Sequence, residues 1–254
     1  MRRFLRVSFL LPSFFVGLAI SRPGVCLGSA FKVTPVTILL SRRTPTALLT
    51  LTNESDRRLR FQASVFLWDQ SPEGRMKLTP TQDIVFFPTV FSVEPGTVRK
   101  VRVGSATPFG SLEKAYRIFF EELPEVEKVA DSRSKLQIRT RIGIPIFLQP
   151  KETEKGSRID AMTSLAGTLR FSVRNTGTVH VNLRGVRVRA LGLMGDSRFE
   201  SESEGWYVLA GGSRNYQVEI PKDRCDGVAR FVIEAQVDGS TILEKLESSG
   251  TSCR

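Results

Sequence analysis

The chain has 254 residues, a formal net charge of +11 at pH 7, three cysteines and one histidine, His180. A zinc site needs about four clustered Cys, His or carboxylate ligands, so this composition predicts neither a metal nor another cofactor. His180 is interpreted as an ordinary strand residue, because it lies in the alternating run TVHVNL. The sequence also lacks a G-x-S-x-G elbow, a phosphate-binding loop and a C-x-x-C motif, which argues against an enzyme.

The first 30 residues have the layout of a secretory signal peptide. Three arginines precede an apolar run from about Val7 to Ile20, and Gly28 and Ala30 occupy the small-residue positions of a cleavage site. The apolar run is shorter than the ~20 residues that span a membrane. We therefore expect residues 1–30 to be removed during export, and we expect no membrane insertion.

Cleavage after Ala30 would remove four arginines and no acidic residue, which lowers the net charge from +11 to +7. The remaining basic residues are spread over strand-like segments rather than clustered on one helix. Export also separates the protein from nucleic acid. The charge is interpreted as a solvated surface with some bias toward acidic partners, and no nucleic-acid partner is expected.

Short segments in which apolar and polar residues alternate recur along the rest of the chain, between clusters of Gly, Pro, Asn and Ser. This pattern predicts an all-β protein of antiparallel sandwiches, and the remaining length suits two domains of about 110 residues each. The predicted strands are 47–52, 59–68, 98–103, 115–121, 169–174, 179–188, 216–220 and 229–237.

The segment KLQIRTRIGIPIFLQP, residues 135–150, alternates over an unusual length. Its even positions from 136 to 148 carry aliphatic residues or threonine, whereas most odd positions carry Gln, Arg, Gly or Pro. A period of two predicts a strand with one apolar face, and strands are most often about 5–6 residues long. So long an apolar face either covers its own sandwich or reaches beyond it to a partner, and the pattern alone leaves both interpretations open.

A polar segment, PKETEKGSR at 150–158, follows this strand and is the predicted linker. A faint internal repeat supports the division, because 48–65 and 168–186 each read as a strand, an Asn-centred turn and a second strand. We therefore predict two copies of one sandwich, at 31–150 and 151–254.

Two cysteines, Cys225 and Cys253, remain after removal of the signal peptide, and both lie in the second half. Export would bring them into an oxidising compartment, which favours one disulfide between them. Two free thiols are the alternative.

The first half contains a characteristic series of motifs. They are VTPV at 33–36, LTN at 51–53, Trp68, FFP at 86–88, VEPGTVRKVRV at 93–103, AYRIFFEELP at 115–124 and LQIRTRIGIPIFLQP at 136–150. This series resembles the periplasmic pilus-assembly chaperones of the chaperone–usher pathway. The resemblance covers about residues 31–150 and is much weaker over 157–254. The IPIF ending of the long strand is more similar to the archaic branch of that family than to the P-pilus type.

The resemblance implies two immunoglobulin-like β-sandwich domains arranged in an L, with the last strand of the first domain as the working part. Pilin subunits lack their final strand, and chaperones of this family supply it by β-augmentation, with alternate side chains seated in the subunit's groove. Ile146 and Leu148 are expected to remain in the chaperone's own core. The donor residues that the resemblance implies are Leu136, Ile138, Thr140, Ile142 and Ile144.

The resemblance also implies the partners and the compartment. The partners are pilin or fimbrial subunits and an outer-membrane usher, and the compartment is the periplasm. No cofactor is needed, because burial of each aliphatic donor side chain contributes ~1.5–3 kcal/mol.

The sequence departs from the P-pilus type where that type binds the terminal carboxylate of its client. The usual arginine and lysine positions fall at Thr37 and Pro145, neither of which carries a charge. An arginine can bind both oxygens of a carboxylate, so Arg117 is the first candidate anchor and Arg141 the second. Ordinary solvated strand arginines are the alternative for both.

The family's interdomain ion network is also only partly matched. Glu122 matches its glutamate, and either Asp223 or Asp226 is the candidate for its aspartate, whereas Gln149 stands where the family has an arginine.

Two further functions remain open from the sequence. One is a divergent chaperone-like module that binds another exported protein. The other is a secreted structural or adhesin β-sandwich protein. A pilin would be expected as one incomplete domain, whereas this chain contains two predicted sandwiches.

The signal-peptide interpretation predicts that the mature chain begins at Phe31. Gly28-Ser29-Ala30 is the first small-residue cleavage site after the apolar run. N-terminal sequencing of the protein recovered from the periplasm measures this directly. A chain that still begins at Met1 would contradict both the cleavage and the argument for export.

Overall fold

The computed structural model of the protein describes residues 30–124, 138–249 and 252. Within these ranges the regular structure is almost entirely β, with the strands arranged in four sheets. The prediction of an all-β fold with two β-sandwiches is confirmed. No helix in these ranges is long and apolar enough to cross a membrane.

The first sandwich contains ten strands in two sheets. The strands are β1 (Phe31–Thr34), β2 (Ile38–Leu40), β3 (Thr46–Asn53), β4 (Leu59–Gln70), β5 (Met76–Pro80), β6 (Ile84–Phe87), β7 (Val90–Val93), β8 (Val98–Ser105), β9 (Lys114–Leu123) and β10 (Arg141–Leu148). One sheet has the order β1-β3-β8-β6, and the other has the order β2-β10-β9-β4-β5 with β7 paired to β4.

The second sandwich contains eight strands and one short helix. These elements are β11 (Ser157–Leu165), β12 (Thr168–Asn175), β13 (Val181–Gly192), β14 (Ser197–Glu204), β15 (Tyr207–Val208), β16 (Ser213–Glu219), α1 (Lys222–Cys225), β17 (Val228–Val237) and β18 (Ser240–Glu247). One sheet has the order β11-β12-β16, and the other has the order β14-β13-β17-β18 with β15 paired to β13.

Each sandwich encloses its own hydrophobic core, because alternate residues of the facing strands point inward. In the first core Leu51 of β3 faces Phe61 of β4 and Ile118 of β9, all fully buried. In the second core Val173 and Phe231 are buried in the same way. The two separate cores agree with the internal repeat seen in the sequence.

A buried asparagine fixes the same turn in both sandwiches. The Nδ2 atom of Asn53 donates to the carbonyl oxygens of Arg57 and Val93, at 2.7 and 2.9 Å. Asn175 repeats this arrangement with the carbonyl oxygens of Val179 and Val208, at 2.8 and 2.9 Å. A buried amide with both donors satisfied stabilises the turn, so the Asn-centred motif has the same structural role in each half.

The long alternating segment forms a shorter strand than the sequence predicts. β10 begins at Arg141, and residues 138–140 are described without strand structure. The pairing partner explains this difference, because β9 ends at Leu123 and Pro124 follows it. The last backbone hydrogen bond between β9 and this segment joins the amide of Glu122 to the carbonyl oxygen of Thr140, at 3.0 Å.

Cys225 lies in α1, is 1% exposed, and has its Sγ 4.0 Å from the carbonyl oxygen of Ser252. Ser252 also accepts a backbone bond of 2.7 Å from the amide of Gly167, and Ser252 thus lies beside α1. Cys253 lies outside the described residues. Ser252, the residue that precedes Cys253, therefore lies close to Cys225, the predicted disulfide partner.

We predict a Cys225–Cys253 disulfide that stabilises the second sandwich by ~2–4 kcal/mol, because the crosslink restricts the unfolded chain. Thiol titration of the denatured protein should find two reactive thiols with reductant and none without it. The Cys253→Ser variant should unfold at lower denaturant concentration. Equal titration with and without reductant would show that the bridge is absent.

Candidate functional site

The outer face of the β10 sheet meets the second sandwich. Alternate residues of β9 and β10 point away from the first core, and at the end of these strands Ala115 and Phe147 lie on this outer face beside Trp68. Trp206 and Tyr207 of the second sandwich pack on them, with ring centroids 5.2 Å apart for Trp68 and Trp206. This aromatic contact, which we call the interdomain cluster, joins the two halves.

His180 fixes one side of this junction. Its ring stacks on Phe147 at a centroid distance of 3.7 Å. Its Nδ1 lies 2.6 Å from Oε1 of the buried Glu113, and its backbone amide donates to the same oxygen at 2.9 Å. The amide of Glu113 donates in turn to the carbonyl oxygen of Thr178, at 2.9 Å. The interpretation of His180 as a strand residue is therefore wrong, because it immediately precedes β13 and works as a contact between domains.

Hydrogen bonds to backbone atoms fix the other side of the junction between the two sandwiches. The Nε2 atom of Gln70 donates to the carbonyl oxygen of Tyr207 at 3.0 Å, and its Oε1 accepts from the amide of Leu209 at 3.2 Å. The amide of Asn215 donates to the carbonyl oxygen of Pro72 at 2.6 Å. Bonds to backbone atoms on both sides of the cluster leave the two sandwiches little freedom to turn against each other.

Arg117 lies at the interdomain cluster, in contact with both tryptophans. On β9 it is directly opposite Pro145 of β10. Its Cζ lies 4.8 Å from the ring centroid of Trp68 and 5.3 Å from that of Trp206. Cation–π contacts of this kind stabilise a partly desolvated guanidinium, and burial lowers the pKa of Arg117 below its ordinary value.

The donors in this place are not fully satisfied. The Nη1 atom of Arg117 contacts the Sδ of Met76 at 3.9 Å, and a thioether is only a weak acceptor. Both Nε of Arg117 and Nε1 of Trp68 are buried without a hydrogen-bond partner. No ion pair among the described residues involves Arg117. An unsatisfied cation beside an unsatisfied N–H is a chemical environment suited to an anion.

Arg141 is placed differently. Its Cζ lies 4.1 Å from the ring centroid of Phe119, and its Nε lies 3.8 Å from Oε2 of Glu121. It therefore already has a carboxylate neighbour in a half-exposed position. Of the two arginines, Arg117 is the one with a buried N–H that lacks a hydrogen-bond partner.

One edge of β10 is open over most of its length. β2 pairs with β10 only at residues 146–148, and β9 covers the other side throughout. Backbone groups of successive strand residues point alternately to the two edges of the strand. Because the amide of Glu122 donates to the carbonyl oxygen of Thr140, the even residues of this segment bond toward β9. Arg141, Gly143 and Pro145 therefore direct their backbone groups toward the open edge, and Pro145 contributes only a carbonyl oxygen.

The apolar face of the same segment passes from buried to exposed. Ile144, at 4% exposed, lies in the first core together with Ile146 and Leu148, and Ile142 packs on the rim of that core. Thr140 is half-buried and Ile138 is 55% exposed. Leu136 lies outside the described residues. The open edge and the emergence of the apolar face thus coincide near residues 138–143.

The comparisons with known proteins agree with this architecture. Residues 30–154 match the family model described as "Pili and flagellar-assembly chaperone, PapD N-terminal domain". The first sandwich therefore belongs to the pilus-assembly chaperone family. This family consists of chaperones and not of enzymes, so the prediction that the chain is not an enzyme is confirmed. No curated protein sequence matches the chain.

Solved structures show the same fold at low sequence identity. The class 5 fimbriae chaperone CfaA is 13% identical with a TM-score of 0.57, over 87% of this chain and all of that one. A chain of the CsuC–CsuE chaperone–tip adhesin complex of Acinetobacter baumannii is 15% identical with a TM-score of 0.57, over 85% and 98%. A chain of the Salmonella enterica SafA pilin–SafB chaperone complex is 14% identical with a TM-score of 0.55, over 87% and 98%.

The remaining sequence-predicted residues of the chaperone lie in local contacts. Glu122 is buried and pairs with Arg57 of the same sandwich at 2.8 Å. Asp223 lies beside Arg224 at 3.5 Å, and Asp226 follows α1. The Glu122–Arg57 and Asp223–Arg224 contacts each lie within one sandwich. An interdomain role for the three acidic residues stays a prediction.

Several residues of the site were not predicted from the sequence. Trp206 and Tyr207 form an aromatic pair outside any predicted strand, and this was the available signal. Glu113 precedes β9 in a loop, and Met76 opens β5, where no pattern marks either residue. Their roles depend on which segment of the other sandwich or of the neighbouring strands lies against them.

Proposed function

We propose that the protein is a periplasmic chaperone that binds pilin or fimbrial subunits by donor-strand complementation and delivers them to an outer-membrane usher. The observation that carries the proposal is the coincidence of the open β10 edge with the apolar face that emerges from the core. Strand addition requires both features, because backbone bonds supply affinity and alternate side chains supply fit. Family membership and the predicted signal peptide support the compartment and the class of client.

Donor-strand complementation assigns separate roles to the two parts of the alternating segment. Ile144, Ile146 and Leu148 hold the strand to its own core. Ile144 is therefore a core residue, in contrast to the prediction that it is a donor. Leu136, Ile138, Thr140 and Ile142 are then the residues offered to a client. Burial of three aliphatic side chains contributes ~4.5–9 kcal/mol before the costs of association and ordering.

Arg117 is the proposed anchor for the client's terminal carboxylate. It lies opposite Pro145, the position at which P-pilus chaperones carry their lysine. In the free protein its guanidinium extends over β4 toward Met76 of β5. Engagement of a client on the open edge of β10 therefore requires the side chain to turn back across Pro145, which lies opposite Arg117.

The alternative function is a chaperone-like module that binds a different exported protein. Such a module would use β10 in the same way. It differs only in the client, and the following measurements distinguish it because they use a pilin subunit as the partner.

The donor-strand proposal predicts that Ile138→Asp together with Ile142→Asp abolishes capture of a pilin subunit co-expressed in the periplasm. Each substitution places a charge in an apolar groove without a partner. Ile138→Asp alone should weaken capture at least about tenfold and leave the melting temperature unchanged, since Ile138 is exposed. Arg139→Asp, on the opposite face of the segment, is the matched control and should retain capture.

Two results would contradict this prediction. If Ile138→Asp lowers the melting temperature of the isolated chaperone by several degrees, the apolar face covers its own sandwich. If the double variant still captures the subunit, strand donation is not the mode of binding.

The anchor proposal predicts that Arg117→Ala weakens subunit capture by about tenfold or more, the value of a lost charge-assisted hydrogen bond. The melting temperature should change little, because no described ion pair of Arg117 is lost. Arg141→Ala should have a smaller effect, and Arg139→Ala serves as the exposed-arginine control. Full capture by the Arg117→Ala/Arg141→Ala double variant would mean that the carboxylate is held elsewhere or that strand pairing suffices.

A further inference from the structure

Met76 is the residue that holds the Arg117 guanidinium on the β5 side. It opens β5, is 38% exposed, and its sulfur is 3.9 Å from Nη1 of Arg117. A thioether accepts hydrogen bonds weakly, so this contact offers little resistance when the arginine turns toward β10. The strength of the contact is therefore set by the oxidation state of one sulfur atom.

We propose that Met76 is an oxidation site that controls the availability of Arg117. This inference rests on the proposed function in one respect, the use of Arg117 as a carboxylate anchor. Oxidation of Met76 to the sulfoxide converts the weak acceptor into a polar oxygen that binds the guanidinium in its present position. Arg117 is then withheld from a client carboxylate.

The chemistry is an oxygen-atom transfer from a peroxide. The thioether sulfur attacks one oxygen of hydrogen peroxide, the O–O bond breaks, an S–O bond forms, and the second oxygen leaves as water. The sulfur is oxidised by two electrons and the peroxide is reduced by two. Methionine sulfoxide can be reduced back to the thioether by sulfoxide reductases, so the change is reversible.

The surroundings favour a sulfoxide at this position. The new oxygen would lie close to Nη1 of Arg117, which the sulfur already contacts at 3.9 Å. A hydrogen bond with a charged donor is shorter and stronger than a neutral one. The sulfoxide thus gains a partner that the thioether does not satisfy.

The other methionines provide internal comparisons. Met194 is 95% exposed at the tip of the β13–β14 hairpin, far in sequence from the arginine site, whereas Met162 packs against the second core. Met194 should therefore oxidise first without a functional effect, Met76 next, and Met162 last.

The experiment treats the full-length mature chaperone with hydrogen peroxide and follows each methionine by peptide mass spectrometry. Both tryptophans of the chain, Trp68 and Trp206, contact Arg117, so their fluorescence reports its position without a ligand. The binding probe is an octapeptide of alternating threonine and valine with a free carboxyl terminus, and its C-terminal amide is the comparison. Met76→Leu and Met194→Leu are the test and control variants.

Formation of Met76 sulfoxide should shift the tryptophan emission and lower the affinity for the carboxylate peptide by about tenfold. The affinity for the amide peptide should not change. Met76→Leu should show neither response to peroxide, Met194→Leu should respond as the unmodified chain does, and sulfoxide reductase should restore the original values.

Two outcomes would overturn the inference. One is Met76 remaining unoxidised after Met162, which packs against the second core, has been converted. The other is Met76 sulfoxide forming without a change in tryptophan emission. A chaperone that binds acid and amide peptides equally before oxidation would instead refute the anchor role of Arg117, and the emission of the oxidised protein would still decide whether Met76 controls the arginine.

Discussion

The hydrogen bonding of β10 is the constraint on which the rest of this structure depends. Every backbone amide and carbonyl needs a partner, and a strand bonded on one side leaves a row of them free. Over residues 141–145 this row faces outward, while the side chains leave the core over residues 138–142. Backbone and side chains therefore become available to a partner in the same short stretch.

The second sandwich leaves this edge accessible because it packs elsewhere. It contacts the outer face of the sheet near Phe147 and Ala115, at the end where β2 already covers β10. The stacked His180 ring and the Gln70 bonds hold it there. The same contact places Trp206 over Arg117, so the cation site needs both sandwiches although the cation belongs to the first.

The sequence predicts those features that depend on local periodicity. The alternating runs at 59–68 and 115–121 became β4 and β9 with nearly the same limits, because a period of two is a property of the strand itself. β14, SRFESESE, was not predicted, since it contains a single aromatic and no aliphatic residue. It is a strand because β13 pairs with it.

The site was predictable to a smaller extent for the same reason. Arg117 could be proposed from the sequence because its strand was expected to neighbour β10, and only the pairing register was needed to place it opposite Pro145. Its contacts with Trp206 and the pairing of His180 with Glu113 join segments from different sandwiches. Such contacts follow from how two folded units dock, and no spacing within one segment encodes them.

Pro145 has a consequence for any strand that joins β10. A joining strand can exchange both an amide and a carbonyl bond with Arg141 and with Gly143, but at Pro145 it meets a carbonyl oxygen without an N–H. β2 occupies the next position. The hydrogen-bonded ladder must therefore end at residue 145 and extend toward residue 138. Shifts of the pairing by two residues preserve the apolar face. Pro145 therefore sets one end of the ladder and limits the registers that a partner strand can adopt.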